Sequence, residues 1–188
     1  MTWTNADTSA YWDSGYRLWP GRVPYGSEET YGQSLTWLLE TCRSIEDWGA
    51  GPAWARNWIP EGVRYLPIDF AASAVRPGWS EVLADLATYE STRPDGIFMR
   101  HVLEHSDAWR EILANALASF TRRMVLVTFI PLAEQSFAET PHLPGRDWHL
   151  GRAELLGMLG DLLTGEYDQP SRTTHGGEHV FRLERAGG

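Results

Sequence analysis

The sequence predicts an α/β protein, with a central, mostly parallel sheet flanked by helices, in one domain of 188 residues. Three observations carry that expectation. Strand-like and helix-like segments alternate along most of the chain, the pattern that builds a layered sheet with right-handed crossovers. The run Met124-Val125-Leu126-Val127-Thr128-Phe129-Ile130 is almost wholly apolar, as a central strand covered on both faces must be. A Gly49-Ala50-Gly51 turn follows one predicted strand, and Asp69 ends the next.

Taken in order, residues 1–26 lack periodicity and are rich in Trp, Tyr, Gly and Pro, which predicts an irregular aromatic arm. Trp3, Trp12 and Trp19 crowd this arm, either as a wrapped, buried segment or as an aromatic wall over a ligand pocket or partner surface. Ser27 followed by Glu28 and Glu29 reads as a helix start, because acids there meet the positive end of the helix dipole. Tyr31, Leu35, Leu38, Leu39 and Cys42 then repeat at helical spacing. Arg43 to Trp48 reads as the first strand, and Pro52 suits the first position of a short helix ending at Trp58. Val63 to Ile68 gives the second strand. Glu81 to Leu86 reads as a third strand ending near Asp85 or as a helix from Ser80 to Glu90, the strand being preferred. Gly96 to Arg100 is the fourth strand. Trp109, Ile112, Leu113, Ala116, Leu117 and Phe120 form one helical stripe, capped by Ser106 or Asp107. Pro131 to Leu150 reads as irregular, Leu155 to Leu162 as a helix, and the tail as two strands about His175-Gly176-Gly177.

Composition bounds the function. The formal charge is −9, and all 16 basic residues are arginines. Binding to a phosphate backbone rests on basic side chains, so the charge argues against nucleic acid as a partner. The single cysteine excludes an internal disulfide framework and a cysteine-rich zinc site. No apolar run approaches the roughly 20 residues of a membrane helix, and Met1 to Asp13 lacks the pattern of a signal peptide. A cytoplasmic protein is the expectation.

In an open α/β sheet, ligands bind beyond the carboxyl ends of the strands, near the point where strand order reverses. Four segments fall there: Asp47 to Pro52, Asp69-Phe70, Asp85 with its neighbours, and Arg100 to His105. A Gly-x-Gly turn lets backbone approach a ligand, and an acid about 20 residues on can accept both hydroxyls of a ribose. Asp69 lies 18 residues after Gly51.

The segment Ile45-Glu46-Asp47-Trp48-Gly49-Ala50-Gly51-Pro52 resembles the cofactor loop of class I S-adenosylmethionine-dependent methyltransferases, whose Rossmann-like fold the resemblance implies. Tyr65-Leu66-Pro67-Ile68-Asp69 resembles their second strand, and Arg100-His101-Val102-Leu103-Glu104-His105 the segment after their fourth strand in small-molecule members. Tyr11-Trp12-Asp13 is similar to the aromatic-Trp-Asp opening upstream of the first helix. The resemblance runs from about Ser44 to Pro131. Trp48 departs from it, standing where a small aliphatic residue is usual, and only two glycines of the fuller signature are present. The resemblance implies S-adenosylmethionine as cofactor. It would set Asp47, Gly49 and Gly51 at the methionine end and Asp69 on the ribose, beside Phe70. Asp85 would face the adenine amino group. Arg100 and His101 would line the floor, with His105 at the rim.

Methyl transfer from an activated sulfonium mainly requires alignment, which supplies on the order of 7–11 kcal/mol in well-oriented systems. A base is needed only when the acceptor has a proton to lose. His101, His105 and His149 are the candidates, each with a purely structural alternative in backbone or cofactor contact. Tyr25, Trp148 and His149 are the expected substrate contacts, between the aromatic arm and a lid at Pro131 to Leu150. Glu104 could act as a general acid or simply cap the next helix. His175 and His179 have a metal-like spacing, but two glycines between them argue for a turn, and no metal site is expected. Cys42 reads as core. Neither the Asn-Pro-Pro-aromatic motif nor the Pro-Cys nucleophile of DNA methyltransferases is present, and without lysine a lysine-based tetrad cannot form.

The leading expectation is an enzyme methylating oxygen or nitrogen of a small molecule. Its rivals are a non-catalytic scaffold of the same fold, a nucleic-acid methyltransferase using Arg17, Arg22, Arg146 and Arg152, and a nicotinamide dehydrogenase.

Overall fold

The computed structural model describes residues 5–18, 27–139 and 147–187. In chain order the elements are α1 (Asn5–Leu18), α2 (Glu28–Leu39), β1 (Ser44–Trp48), β2 (Arg64–Asp69), β3 (Val82–Leu83), β4 (Gly96–Arg100), α3 (Trp109–Ser119) and β5 (Arg123–Thr128). They continue with β6 (Phe137–Glu139), β7 (Asp147–His149), α4 (Arg152–Leu159), β8 (Leu163–Pro170) and β9 (Gly177–Glu184). Seven strands form one sheet in the order β3-β2-β1-β4-β5-β9-β8. The first five pair in parallel, while β9 runs antiparallel to both β5 and β8. Strand order reverses between β1 and β4, which locates the ligand crevice before any side chain is considered.

Period-two alternation divides the core into two layers. Ile97, Met99, Met124, Leu126, Phe181 and Leu183 face α3 and α4, joined by Trp109, Leu113, Phe120 and Leu155. Their neighbours Phe98, Val125, Val127 and Val180 face α2, whose Tyr31, Leu35 and Leu38 meet them as the helical spacing requires. Cys42 is buried in this second layer.

Three local expectations are corrected. The N-terminal arm is helical over Asn5–Leu18, not irregular. Its anchor is polar: the Asp13 carboxylate accepts from the Ser73 backbone N–H at 2.8 Å and from its hydroxyl at 2.9 Å. Pro52 begins no α-helix, since only a 3-10 turn, Trp54–Trp58, follows the Gly-x-Gly loop. The Pro131 to Leu150 stretch holds an antiparallel pair, β6 with β7, in its described parts. In the ambiguous Glu81 to Leu86 segment only Val82–Leu83 is a strand, ending before Asp85, and residues 84–95, between β3 and β4, contain no helix.

That missing helix accounts for Trp48. The indole is fully buried on the α3 side, edge-on to Tyr89 at 5.7 Å, and fills volume that a crossover helix would cover. Its N–H donates to the buried Glu46 carboxylate, which also accepts from Thr92 N, Thr92 Oγ1 and Ser91 Oγ at 2.8–2.9 Å. With the Tyr89 hydroxyl at 3.5 Å, five donors satisfy a group that would otherwise be costly to bury.

Candidate active site

The β1–β2 crossover builds the site floor. Gly49 N and Ala50 N both donate to Ile68 O at 2.9 Å, folding the loop back over β2. Gly51 N donates to Asp69 Oδ2 at 2.8 Å, and Ala71 N to Asp69 Oδ1 at 2.9 Å. The glycine loop and the acid are therefore in direct contact. Gly49 has φ +77°, and a Cβ there would stand 2.3 Å from Val102 Cγ2, so only glycine lets the two loops meet.

A pocket opens above this floor, at the switch point. Gly49, Asp69, Phe70, Asp85, His101 and His105 line it, together with the apolar Leu86, Val102 and Ile112. Trp12 of α1 completes the wall, its ring edge-on to His105 at 5.0 Å. Trp48 is absent from the lining, because its side chain lies in the core. Asp69 is 2% exposed, and burial pushes its carboxyl up to about 6 against the N–H bonds from Ala71, Gly51 and Phe70. Ala71 N and Gly51 N occupy one lone pair on each Asp69 oxygen and the Phe70 N–H takes a third, which leaves one for a ligand hydroxyl.

Asp47 and Arg100 do not line the pocket. Asp47 is buried and accepts from the Tyr65 hydroxyl. Burial pushes it up to about 7 against that bond, and the charge of Asp69 adds to the rise. Arg100 turns to α2, with its guanidinium 4.8 Å from the Tyr31 ring centre and 2.5 Å from Glu178 Oε1. His101 Nε2 lies 2.7 Å from the same Glu178 oxygen, and Thr30 Oγ1 donates to Oε2 at 2.6 Å. Burial, followed by the Arg100 charge, drives His101 down to about 3, so it is neutral. Burial opposes ionisation of Glu178, but the His101 hydrogen bond and the Arg100 charge hold it below the usual carboxylate range. This carboxylate escaped sequence reasoning; its one signal is its place two residues before Val180, on the inward register of β9.

The remaining expected residues divide. His105 lies at the pocket with Nδ1 2.9 Å from Asp147 Oδ1. Trp148 and His149 do not line the pocket: Trp148 Nε1 donates to Asp107 Oδ1 at 2.8 Å, while His149 stacks on Phe137 and pairs with Glu139 at 3.0 Å. Tyr25, Arg22 and Arg146 lie outside the described residues, as do Trp3 and Trp19. Glu104 is buried under the fold, accepting from Phe129 N at 2.7 Å. His179 sits in β9, bonded to Asp168, and among the described residues no group of three metal-ligating side chains occurs. No helix of the described residues is long and apolar enough to cross a membrane.

No family model matches the chain, and no curated protein matches it in sequence. Solved structures do. The 1,6-didemethyltoxoflavin-N1-methyltransferase of Burkholderia thailandensis, solved with 1,6-didemethyltoxoflavin and S-adenosylhomocysteine, is similar over 96% of this chain and 88% of its own, with TM-score 0.71 and 19% identity. The magnesium protoporphyrin IX methyltransferase of Synechocystis PCC 6803, with bound S-adenosylhomocysteine, covers 96% of each chain at TM-score 0.68 and 14% identity. The N-methyltransferase NodS of Bradyrhizobium japonicum WM9, in complex with S-adenosylhomocysteine, covers 96% of this chain and 99% of its own at TM-score 0.65 and 14% identity. The chain thus has the Rossmann-like fold of the class I S-adenosylmethionine-dependent methyltransferases.

Proposed function

We propose that the protein is an S-adenosylmethionine-dependent methyltransferase acting on an oxygen or nitrogen atom of a small molecule. The observation that carries this reading is the contact between the Gly49–Gly51 loop and Asp69 at the floor of a pocket that Trp48 leaves open. Asp69 would take the ribose diol. Phe70, Leu86, Val102 and Ile112 offer an apolar slot for adenine, with Asp85 at its polar edge. Gly49 and His101 face the methionine end, and Asp47, Gly51 and Arg100 support that end from beneath. The cofactor supplies an activated methyl group; the chain aligns the acceptor and excludes water, with Trp12 as part of the cover. Asp69, raised by burial, is a group that a bound ligand with hydroxyl donors would return to its charged form.

The acceptor is a small molecule on this reading, and the protein acts in the cytoplasm. The formal charge of −9 supports a partner other than nucleic acid, and Arg152 is already paired with Glu166 at 2.5 Å. Titration calorimetry with S-adenosylmethionine and S-adenosylhomocysteine is the test. Both are expected to bind, and Asp69→Ala to weaken binding on the order of 10–100-fold, the loss of hydrogen bonds to a charged group. No binding at millimolar ligand would leave a scaffold, and binding of a nicotinamide dinucleotide instead would move the protein to another reaction class.

A further inference from the structure

Resting on that reading of the pocket, one pair of residues defines the acceptor more narrowly. His105 reaches the pocket from the Leu103–His105 turn after β4, while Asp147 comes from β7, 42 residues further on. Their side chains meet at 2.9 Å through Nδ1, and the His105 side chain remains 18% exposed, so a ligand in the pocket can reach it. Trp12 and Phe129 hold the ring from two sides, at 5.0 and 5.5 Å between centres.

The geometry differs from that of the other paired histidines. His101 engages Glu178, and His149 engages Glu139, through Nε2. His179 has carboxylates at both nitrogens. His105 alone of these presents a carboxylate at Nδ1 and, among the described residues, no hydrogen-bond partner at Nε2. A carboxylate accepting from Nδ1–H fixes the neutral tautomer and leaves a lone pair on Nε2.

We propose that Asp147 is a positioning residue that holds His105 as a general base, and that the methyl acceptor is a group with a proton to lose, a hydroxyl or an N–H. The acceptor atom forms its bond to the methyl carbon while its X–H bond breaks toward Nε2. Both X–H electrons stay on the acceptor, and the sulfur leaves with the pair of the carbon–sulfur bond as a neutral thioether. The resulting imidazolium has Asp147 as counter-ion until water takes the proton. A thioether or pyridine-type acceptor would make no use of this pair.

Long-range proton–nitrogen correlation spectra of protein labelled in its six histidines test the proposal, with His105 assigned through His105→Gln. At a pH near 8, His105 is expected as the Nδ1–H tautomer, and Asp147→Ala is expected to lower that population several-fold. S-adenosylhomocysteine affinity should stay within about twofold in Asp147→Ala, because Asp147 does not line the pocket. With an acceptor in hand, His105→Gln should reduce turnover by about 10²–10⁴-fold. A wild-type His105 protonated at Nε2, or a tautomer indifferent to Asp147→Ala, would overturn the pairing while leaving cofactor binding intact. Failure of every form to bind S-adenosylhomocysteine would remove the pocket reading, and the acceptor role with it, whatever tautomer His105 shows.

Discussion

Replacing Gly49 by alanine separates two costs at the tightest contact of the site. The first is conformational: φ +77° is a left-handed backbone, which costs an L-residue about 1–2 kcal/mol. The second is steric. The new Cβ would lie 2.3 Å from Val102 Cγ2, so Val102 must turn or the loop must shift, an overpacking cost of about 1–3 kcal/mol. Gly62 supplies the control, with φ +88° and no atom within 4 Å of a built Cβ. Gly62→Ala is therefore expected to lose only the first cost and Gly49→Ala both, about 2–5 kcal/mol in all. Removing the Val102 methyls leaves its Cβ at 3.6 Å, an ordinary contact. Gly49→Ala combined with Val102→Ala should thus recover about 1–3 kcal/mol relative to the sum of the single variants. Urea denaturation of the wild type and these four variants measures both the comparison and the coupling directly. Equal losses at positions 49 and 62, with additive behaviour at 49 and 102, would refute the close approach of the two loops.

Two further perturbations probe the core beneath the pocket. His101 has φ +56°, which asparagine tolerates, so His101→Asn removes the imidazole without adding backbone strain. Because the folded-state value is pushed down to about 3, the unfolded chain binds this proton first as pH falls. The stability that His101 contributes is whole above its ordinary value near 6.5 and is lost as pH drops below it. The variant should therefore gain on the wild type by up to about 1.4 kcal/mol per pH unit, or about 2 kcal/mol between pH 6.5 and 5. Asp47 and Asp69 act in the opposite sense, losing stability as pH rises through about 7 and 6, but they are common to both proteins and cancel in the difference. Parallel denaturation profiles across that range would show that His101 is not held neutral. Trp48→Ala empties the volume between β1 and Tyr89 and strips one donor from Glu46, and it should cost about 3–5 kcal/mol by denaturation. A loss below 1 kcal/mol would mean that the indole is not structural.

How much of this was legible depended on where each element finds its partner. Strand β4 runs Gly96–Arg100 and α3 Trp109–Ser119, close to the bounds the residue pattern predicts, because both are dictated by burial against the sheet. Helix α1 carries no such signature: it docks through Asp13 on Ser73 and through Trp12 at the pocket, and neither contact imposes an apolar stripe. The β6–β7 pair was invisible for a different reason. Strands of three residues are too short to show a period of two.

The same logic separates the parts of the site. Gly49, Gly51 and Asp69 belong to one strand–loop–strand unit, so their order along the chain already places them together, and the 2.8 Å bond from Gly51 to Asp69 is the outcome. Glu178 and Asp147 are different in kind. Each meets its histidine only through tertiary structure: the sheet pairs β9 with β5, and the separate β6–β7 pair packs beside the turn after β4. A histidine between apolar neighbours carries no mark of which carboxylate will orient it, and that carboxylate decides its chemistry. Glu178 lies 2.7 Å from Nε2 of His101 in the buried floor, whereas Asp147 meets Nδ1 of His105 at the pocket. Two histidines four residues apart, alike in sequence, are thus assigned opposite duties by acids that lie 42 or more residues away.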